Sequence, residues 1–303
     1  MARLAIAVHG GVGNSPENLD GCIAAAEAGF AKLKAGEDAL AAAVAASVRL
    51  EDDGRFNAGR GSSLRMDGET IEMDASCMDS TGRLGAVAAL QRVRNPILVA
   101  RAVADTPHWL MVGEGAERFA RVLGHPEFKE VTPRARAIHM KVMEALSADT
   151  AYDFQAEWRA FDFKAHWNFP TQWQRVIHAH GTSTIGAVAM DAEGRFAVAS
   201  STGGSSPMLY GRVGDTPIVG CGFYAGPAGA IACTGIGEAI VTKLLARTVY
   251  GWLEDGMPLR EALQKGVDLF PAAELDIGLI GVTREGAATA DNRQMPGHVC
   301  EAG

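Results

Sequence analysis

Apolar residues run without interruption from Leu4 to Val8, which predicts one short buried strand leading into the turn His9-Gly-Gly-Val-Gly13. Apolar positions at helical spacing follow from Leu19 to Leu33 and stop near Gly36. Asp38 then stands where a cap is needed for a second, alanine-rich helix to about Leu50. Beyond it the period changes. Asn57 to Ser63 is a glycine loop, Thr70 to Asp79 alternates as a strand, and Gly85 to Leu90 predicts another. Asn95-Pro96 breaks the chain before a helix over Ile97 to Ala104. From about Gly124 to His180 the pattern weakens, with Lys141 to Leu146 its one helical stretch.

From Thr184 the chain turns strongly β. Thr184 to Asp191 and Phe196 to Thr202 flank Ala192-Glu-Gly-Arg195, a hairpin signal. A register pairing Met190 with Phe196 places Thr202 opposite Thr184, with Cβ atoms about 5 Å apart. Cys233 to Gly237 leads into a helix from Glu238 to about Leu253, and another helix follows Pro258. Leu275 to Val282 and Ala287 to Ala290 read as a closing hairpin. No regular βαβ alternation appears, so the pattern predicts stacked antiparallel sheets covered by helices.

Composition changes the picture in three places. Glycine accounts for 36 of 303 residues, about 12% against about 7% in average usage, which points to many close backbone approaches. The net charge of -8 with no basic patch speaks against a nucleic-acid partner. Neither Leu4 to Val8 nor Ala39 to Val48 has the length of about 20 residues that a bilayer span needs, and Leu4 to Val8 is short for a signal h-region. The five cysteines, Cys22, Cys77, Cys221, Cys233 and Cys300, are odd in number and scattered, which predicts a reduced, cytoplasmic protein. Residues 151 to 175 hold eight aromatics: Tyr152, Phe154, Trp158, Phe161, Phe163, Trp167, Phe169 and Trp173. Such a segment packs on something, its own domain or a partner subunit.

Several groups could carry chemistry. The glycine turns at Gly10 and Gly235-Ile-Gly237 do not complete a nucleotide-binding fingerprint. His178-Ala-His180 could supply two zinc ligands, but His108, His125, His139, His166 and His298 lie in no ligand motif. Thr184 opens a strand after the small polar run Gly181-Thr-Ser183. Threonine is a good strand former; it is also a nucleophile if the chain is cut before it, because the new α-amine then serves as its base. Thr202 would hold that hydroxyl from across the hairpin. Arg212 and Asp215 could be a surface ion pair, or a clamp for an α-carboxylate and an α-ammonium. Thr234 could cap a helix, or, with Gly235, face a developing oxyanion.

Seven segments occur in the order seen in one family: His9 to Gly13, Phe56-Asn-Ala-Gly-Arg-Gly61, Met73 to Asp79, Thr184 to Asp191, Ser201 to Gly204, Gly211-Arg-Val-Gly-Asp215 and Cys233 to Glu238. The chain resembles the plant-type L-asparaginases, also called isoaspartyl aminopeptidases, of the N-terminal nucleophile hydrolases. The resemblance implies a single α+β domain over 1–303 built as an αββα sandwich. It implies self-cleavage between Ser183 and Thr184, giving an α chain of 183 residues, with a linker over about 125–183, and a β chain of 120. Ser183 stands where the family usually has glycine, and Ile277-Gly278 where it usually has a glycine pair.

By the same resemblance Thr184 is the nucleophile and Thr202 supports it. Arg212 and Asp215 hold the substrate, Thr234 and Gly235 form the oxyanion hole, and Gly237 lines the site. Catalysis needs no cofactor. A structural Na⁺ would sit on backbone carbonyls of Leu50, Glu51, Asp53, Phe56, Ala58 and Arg60, an all-oxygen set suited to a hard cation. The implied partners are an amino acid or dipeptide substrate and a second copy, giving a homodimer of αβ units. The expected reaction is hydrolysis of β-aspartyl amide bonds in L-asparagine and isoaspartyl dipeptides. A glycosylasparaginase-like specificity and a non-cleaving member with a binding role are the alternatives.

Overall fold

The computed structural model describes residues 3–148, 158, 161–170, 184–270 and 275–303. Its first half begins with strand β1 (Leu4–His9), helices α1 (Leu19–Lys34) and α2 (Ala39–Asp53), strands β2 (Met73–Asp79) and β3 (Leu84–Leu90) and helix α3 (Pro96–Val103). Strand β4 (Leu110–Val112) and helices α4 (Gly113–Val122) and α5 (Pro133–Ala148) follow. After Thr184 come β5 (Thr184–Met190), β6 (Phe196–Thr202), β7 (Phe223–Gly226) and β8 (Gly229–Gly235), then α6 (Gly237–Lys243), α7 (Leu245–Glu254) and α8 (Leu259–Val267). Strands β9 (Ile277–Thr283), β10 (Gly286–Asp291) and β11 (Gly297–Ala302) end the chain described.

The strands form two sheets, ordered β11-β1-β5-β6-β2-β3-β4 and β10-β9-β8-β7. All the ladders are antiparallel except β3 with β4. Alternation along each strand divides its side chains between two buried faces. In β1, Ile6 and Val8 meet Leu40, Leu50, Phe56 and Ile97 beneath α1, α2 and α3. Ala5 and Ala7 face the other way, toward Val188, Val198, Phe223, Ile280 and Val282 between the sheets. In the second sheet Ile231, Cys233, Ile277 and Leu279 pack under α7 and α8. A fully buried Phe56 contributes about 2 kcal/mol by removal of apolar surface from water.

The hairpin register is as read: Met190 pairs with Phe196 and Thr184 with Thr202. Asp38 caps α2, accepting from the Ala41 amide at 2.8 Å, a bond worth about 1 kcal/mol. Four differences have physical reasons. The helix expected from Glu238 to Leu253 is two helices, because Leu244 sits at φ +45°. The first amides of α7 then bond to the carbonyls of Gly220 and Cys221 instead of to a preceding turn. Helix α4 escaped detection because its buried stripe is only Ala116 and Ala120. Strand β11 is an edge strand with no fully buried side chain. Strand β2 starts three residues later than expected, after a turn in which Asp67 accepts from Glu69, Thr70 and the Thr70 hydroxyl.

Of the aromatic segment, Phe163 and Phe169 are buried against Met66 and Met143, with Trp158, Phe161, Trp167 and Leu209 around them. The described part therefore packs on its own domain. Tyr152, Phe154 and Trp173 lie outside the described residues.

Candidate active site

Strands β5, β6 and β8 bring three threonines to one end of the two sheets. Thr184 Oγ1 lies 3.4 Å from Thr202 Oγ1, toward which it donates. Their exposures are 6% and 3%, and Thr234 is fully buried. A small cleft is lined by Thr184, Thr202, Gly204, Arg212, Asp215 and Gly237, with Gly235 at its wall. A larger cleft lies elsewhere, between Arg3, Arg260, Glu285 and Glu301, and is lined by none of the three threonines.

The loop after Thr202 is tightly held. The Gly204 amide donates to Thr202 Oγ1 at 3.0 Å. Asn57 Nδ2 donates to the Gly204 carbonyl at 2.6 Å, and the Gly203 amide to the Asn57 carbonyl at 2.8 Å. Asn57 thus organises the site, though its only sequence signal was membership of the glycine loop. The hydroxyl oxygen of Thr202 therefore accepts twice, from the Gly204 amide and from the Thr184 hydroxyl.

Thr234 is not a helix cap. It lies in β8, and Ile236 is the residue that precedes α6. Its Oγ1 accepts from the Val12 amide at 3.4 Å, and it stands behind the cleft wall that Gly235 forms. Gly235 is at φ +148°, and a Cβ there would stand 2.3 Å from the Asp276 carbonyl. Ile277 and Gly278 back this pair across the ladder, Gly278 opposite Thr234. His9 lies beside the Thr184 backbone, fully buried. Burial pushes its imidazole down to about 3 against the opposing pull of that backbone, so Nδ1 serves as acceptor for the Gly11 amide.

Arg212 and Asp215 do not pair with each other in the way their spacing suggested. Arg212 binds Glu238 through Nε and Nη2 at 2.9 and 2.7 Å, a bidentate contact that a sequence separation of 26 concealed. Asp215 is 4% exposed, and its Oδ2 has no hydrogen-bond partner among the described residues. Burial raises its carboxyl to about 7, although Arg212 opposes the rise. Asp215 lines the cleft, and a buried carboxylate with an unsatisfied oxygen gains by meeting a cation. A Cβ at Gly237 would lie 2.8 Å from Arg212 Nη2 and 2.9 Å from Asp215 Oδ1. Glycine is therefore what lets both groups stand at the cleft together.

The stretch from Leu50 to Arg60 is the end of α2 and a tight loop. A Cβ at Gly61 would stand 2.0 Å from the Phe56 carbonyl oxygen and 2.8 Å from that of Gly54. One at Gly59 would stand 2.8 Å from the Arg94 carbonyl and 2.9 Å from that of Glu51. Each glycine lets two carbonyl oxygens approach closely, and neutral oxygens are the donor type that Na⁺ takes. Of the expected carbonyls, that of Phe56 lies beside Gly61 and that of Glu51 beside Gly59. The carbonyl of Ala58 accepts the Gly61 amide, and the Asp53 carboxylate is taken by Arg55. No contact of this kind singles out Leu50 or the carbonyl of Arg60. Among the described residues no three His, Cys, Asp or Glu side chains gather as a metal site. Ser183, His178 and His180 lie outside the described residues.

The chain is similar in sequence to known proteins. A family model described as asparaginase matches residues 2–298. The plant-type L-asparaginase of Pyrococcus abyssi is 39% identical over 277 residues, 88% of this chain and 85% of that protein. The isoaspartyl peptidase/L-asparaginase of Danio rerio is 41% identical over 266 residues, covering 85% and 78%. The isoaspartyl peptidase of Escherichia coli is 36% identical over 305 residues, covering 94% and 88%.

Proposed function

The chain belongs to the asparaginase family, and from that premise we propose the chemistry of its site. It is a hydrolase of the β-aspartyl amide bond in L-asparagine and isoaspartyl peptides. The observation that carries the detailed reading is the convergence of the Thr184 and Thr202 hydroxyls, 3.4 Å apart, beside the unpartnered carboxylate of Asp215.

In the uncut chain the Thr184 nitrogen is an amide and cannot accept a proton. Cleavage after Ser183 converts it to an amine, with an ordinary pKa of about 7.7–8, beside its own hydroxyl. The substrate's α-ammonium sits on Asp215 and its α-carboxylate on Arg212, which shares its guanidinium with Glu238. This fixes the β-carbonyl carbon over Thr184 Oγ1. The hydroxyl attacks, the amine takes the proton, and charge on the carbonyl oxygen falls on the Thr234 hydroxyl and the Gly235 amide. The amine returns the proton to the leaving ammonia or amine. Water then attacks the β-aspartyl ester of Thr184, giving a proton to the same amine; the C–Oγ1 bond breaks, the amine returns the proton to Oγ1, and aspartate leaves.

The same reading takes the domain as a four-layer αββα sandwich of two chains, 1–183 and 184–303. The three buried clusters, one between the sheets and one on each outer face, support it. It also assigns Na⁺ to the loop around Gly59 and Gly61. Exchange of Na⁺ for choline is expected to lower the melting temperature, and an unchanged melting curve would remove the ion from the account. A dimer of αβ units in the cytoplasm completes the proposal. Five free thiols, four of them buried, support a reducing location; among the described residues no helix is long and apolar enough to cross a membrane. Light scattering at twice the chain mass checks the dimer.

Asp215 makes the pH dependence specific. It receives the ammonium only when ionised, and its carboxyl is raised to about 7 in the free site. Below that value the Asp215 carboxyl and the Thr184 amine are both protonated, so kcat/KM is expected to fall about 100-fold for each pH unit between about 7 and 5, against about tenfold if the amine alone titrated. The shallower fall, or a rate constant flat down to pH 5, would contradict this role. The specificity itself is tested by aspartate release from L-asparagine, β-aspartyl-leucine and a glycosylasparagine. Turnover of the first two supports the reading; release from the glycosylasparagine alone overturns it.

A further inference from the structure

Two carboxylates near the site have no part in the reaction described above. Glu72 immediately precedes β2 and Asp74 lies within it, so the two share one face of the extended chain. Both are buried. Glu72 Oε2 accepts from the Gly211 amide at 2.8 Å, and Asp74 Oδ2 accepts from the Gly214 amide at 3.5 Å. These are the glycines on either side of Arg212. The opposite oxygen of Asp74 accepts from the Ala89 amide at 2.9 Å, where the β2–β3 register shifts.

The counter-charge is Arg65, whose side chain has no exposure. Its Nε donates to Glu72 Oε2 at 3.1 Å and its Nη2 to the Glu72 carbonyl at 2.6 Å. Its Nη1 donates to the Gly203 carbonyl at 2.8 Å. Gly203 follows Thr202, so one guanidinium joins the backbone behind the paired hydroxyls to the carboxylate beneath the Arg212 turn. A buried ion pair adds little net stability compared with apolar side chains of the same volume. What it supplies is fixed geometry, because a planar guanidinium holds three acceptors at set angles.

We propose that the buried Arg65–Glu72 ion pair is the positioning device that sets the Gly211–Asp215 substrate clamp relative to Thr184 and Thr202, and so sets substrate affinity. The proposal rests on the hydrolase reading above. Neither residue touches substrate; each acts through the backbone of Gly203 or Gly211.

The test uses Arg65→Met, Arg65→Lys and Glu72→Gln with two readouts. Amide exchange read by mass spectrometry over residues 209–216 requires no activity. It is expected to speed up about tenfold in Arg65→Met and Glu72→Gln, with β5 and β6 unchanged and partial restoration in Arg65→Lys. The KM for L-asparagine is expected to rise about tenfold in Arg65→Met while kcat stays within about threefold. A general loss of folded enzyme would lower kcat and leave KM alone. If Arg65→Met does not fold, Glu72→Gln and Arg65→Lys carry the same readouts. Unaltered exchange and KM in the folded variants, or exchange that rises equally through β5 and β6, overturns the proposal. Wild-type protein that releases no aspartate overturns the hydrolase reading instead and leaves the exchange result standing.

Discussion

Thr184→Ala is expected to remain one chain of 31.8 kDa and to release no aspartate, a loss of at least about 10⁴-fold. Two separate losses converge in this variant. Without Oγ1 nothing adds to the Ser183 carbonyl, so the α-amine that would serve as base is never freed. Supplying the β chain as a separate polypeptide beginning with alanine would still give no nucleophile. Thr184→Ser is the control: it keeps an oxygen within reach of Thr202 and should cut and turn over at a reduced rate. Folding is not at issue, because alanine fits the buried start of β5 and Thr184 makes no side-chain contact on which the ladder depends. Full hydrolytic activity in purified Thr184→Ala would end the account of this residue as nucleophile.

Gly237→Ala is expected to lower kcat/KM by about 10²-fold, chiefly through KM, while self-cleavage proceeds at its wild-type rate. The new Cβ would stand 2.8 Å from Arg212 Nη2, 2.9 Å from Asp215 Oδ1 and 3.2 Å from the Asp215 backbone nitrogen. The guanidinium can swing away toward Glu238, but the Asp215 carboxylate is short and enclosed. Both halves of the clamp must shift by a few tenths of an ångström or more, and misplacement on the scale of 1 Å costs about 10²-fold in rate. Self-cleavage uses Thr184 and its neighbours in β5 and β6, which that Cβ does not reach. Steady-state kinetics on L-asparagine and a gel time course separate the two effects. An unchanged KM would show that the clamp lies elsewhere.

Those parts of the site with a short-range cause were legible in the sequence. A two-residue alternation and one hairpin turn were enough to set Thr202 opposite Thr184. Capping chemistry marked Asp38, and glycine punctuation marked the loops at Gly203 and Gly235. The rest depends on contacts between distant positions. Arg65 meets the Gly203 carbonyl across 138 positions, and no periodicity announces such a meeting. Arg212 looked paired with Asp215 because they are three apart, yet its partner Glu238 arrives on helix α6. Leu244 belongs to a run of good helix formers, and the helix breaks there because the loop at Gly220 and Cys221 supplies better acceptors for the next turn. Thr234 resembled a cap because Gly235 and Gly237 follow it; the ladder with β9 extends the strand past it.

Intact mass spectrometry of the purified wild-type protein, with N-terminal sequencing and an aspartate-release assay on the same sample, tests the central claim most directly. The account predicts two polypeptides of 183 and 120 residues, the shorter beginning at Thr184, and turnover of L-asparagine that appears in step with the cut. A single uncut chain that hydrolyses L-asparagine would contradict it.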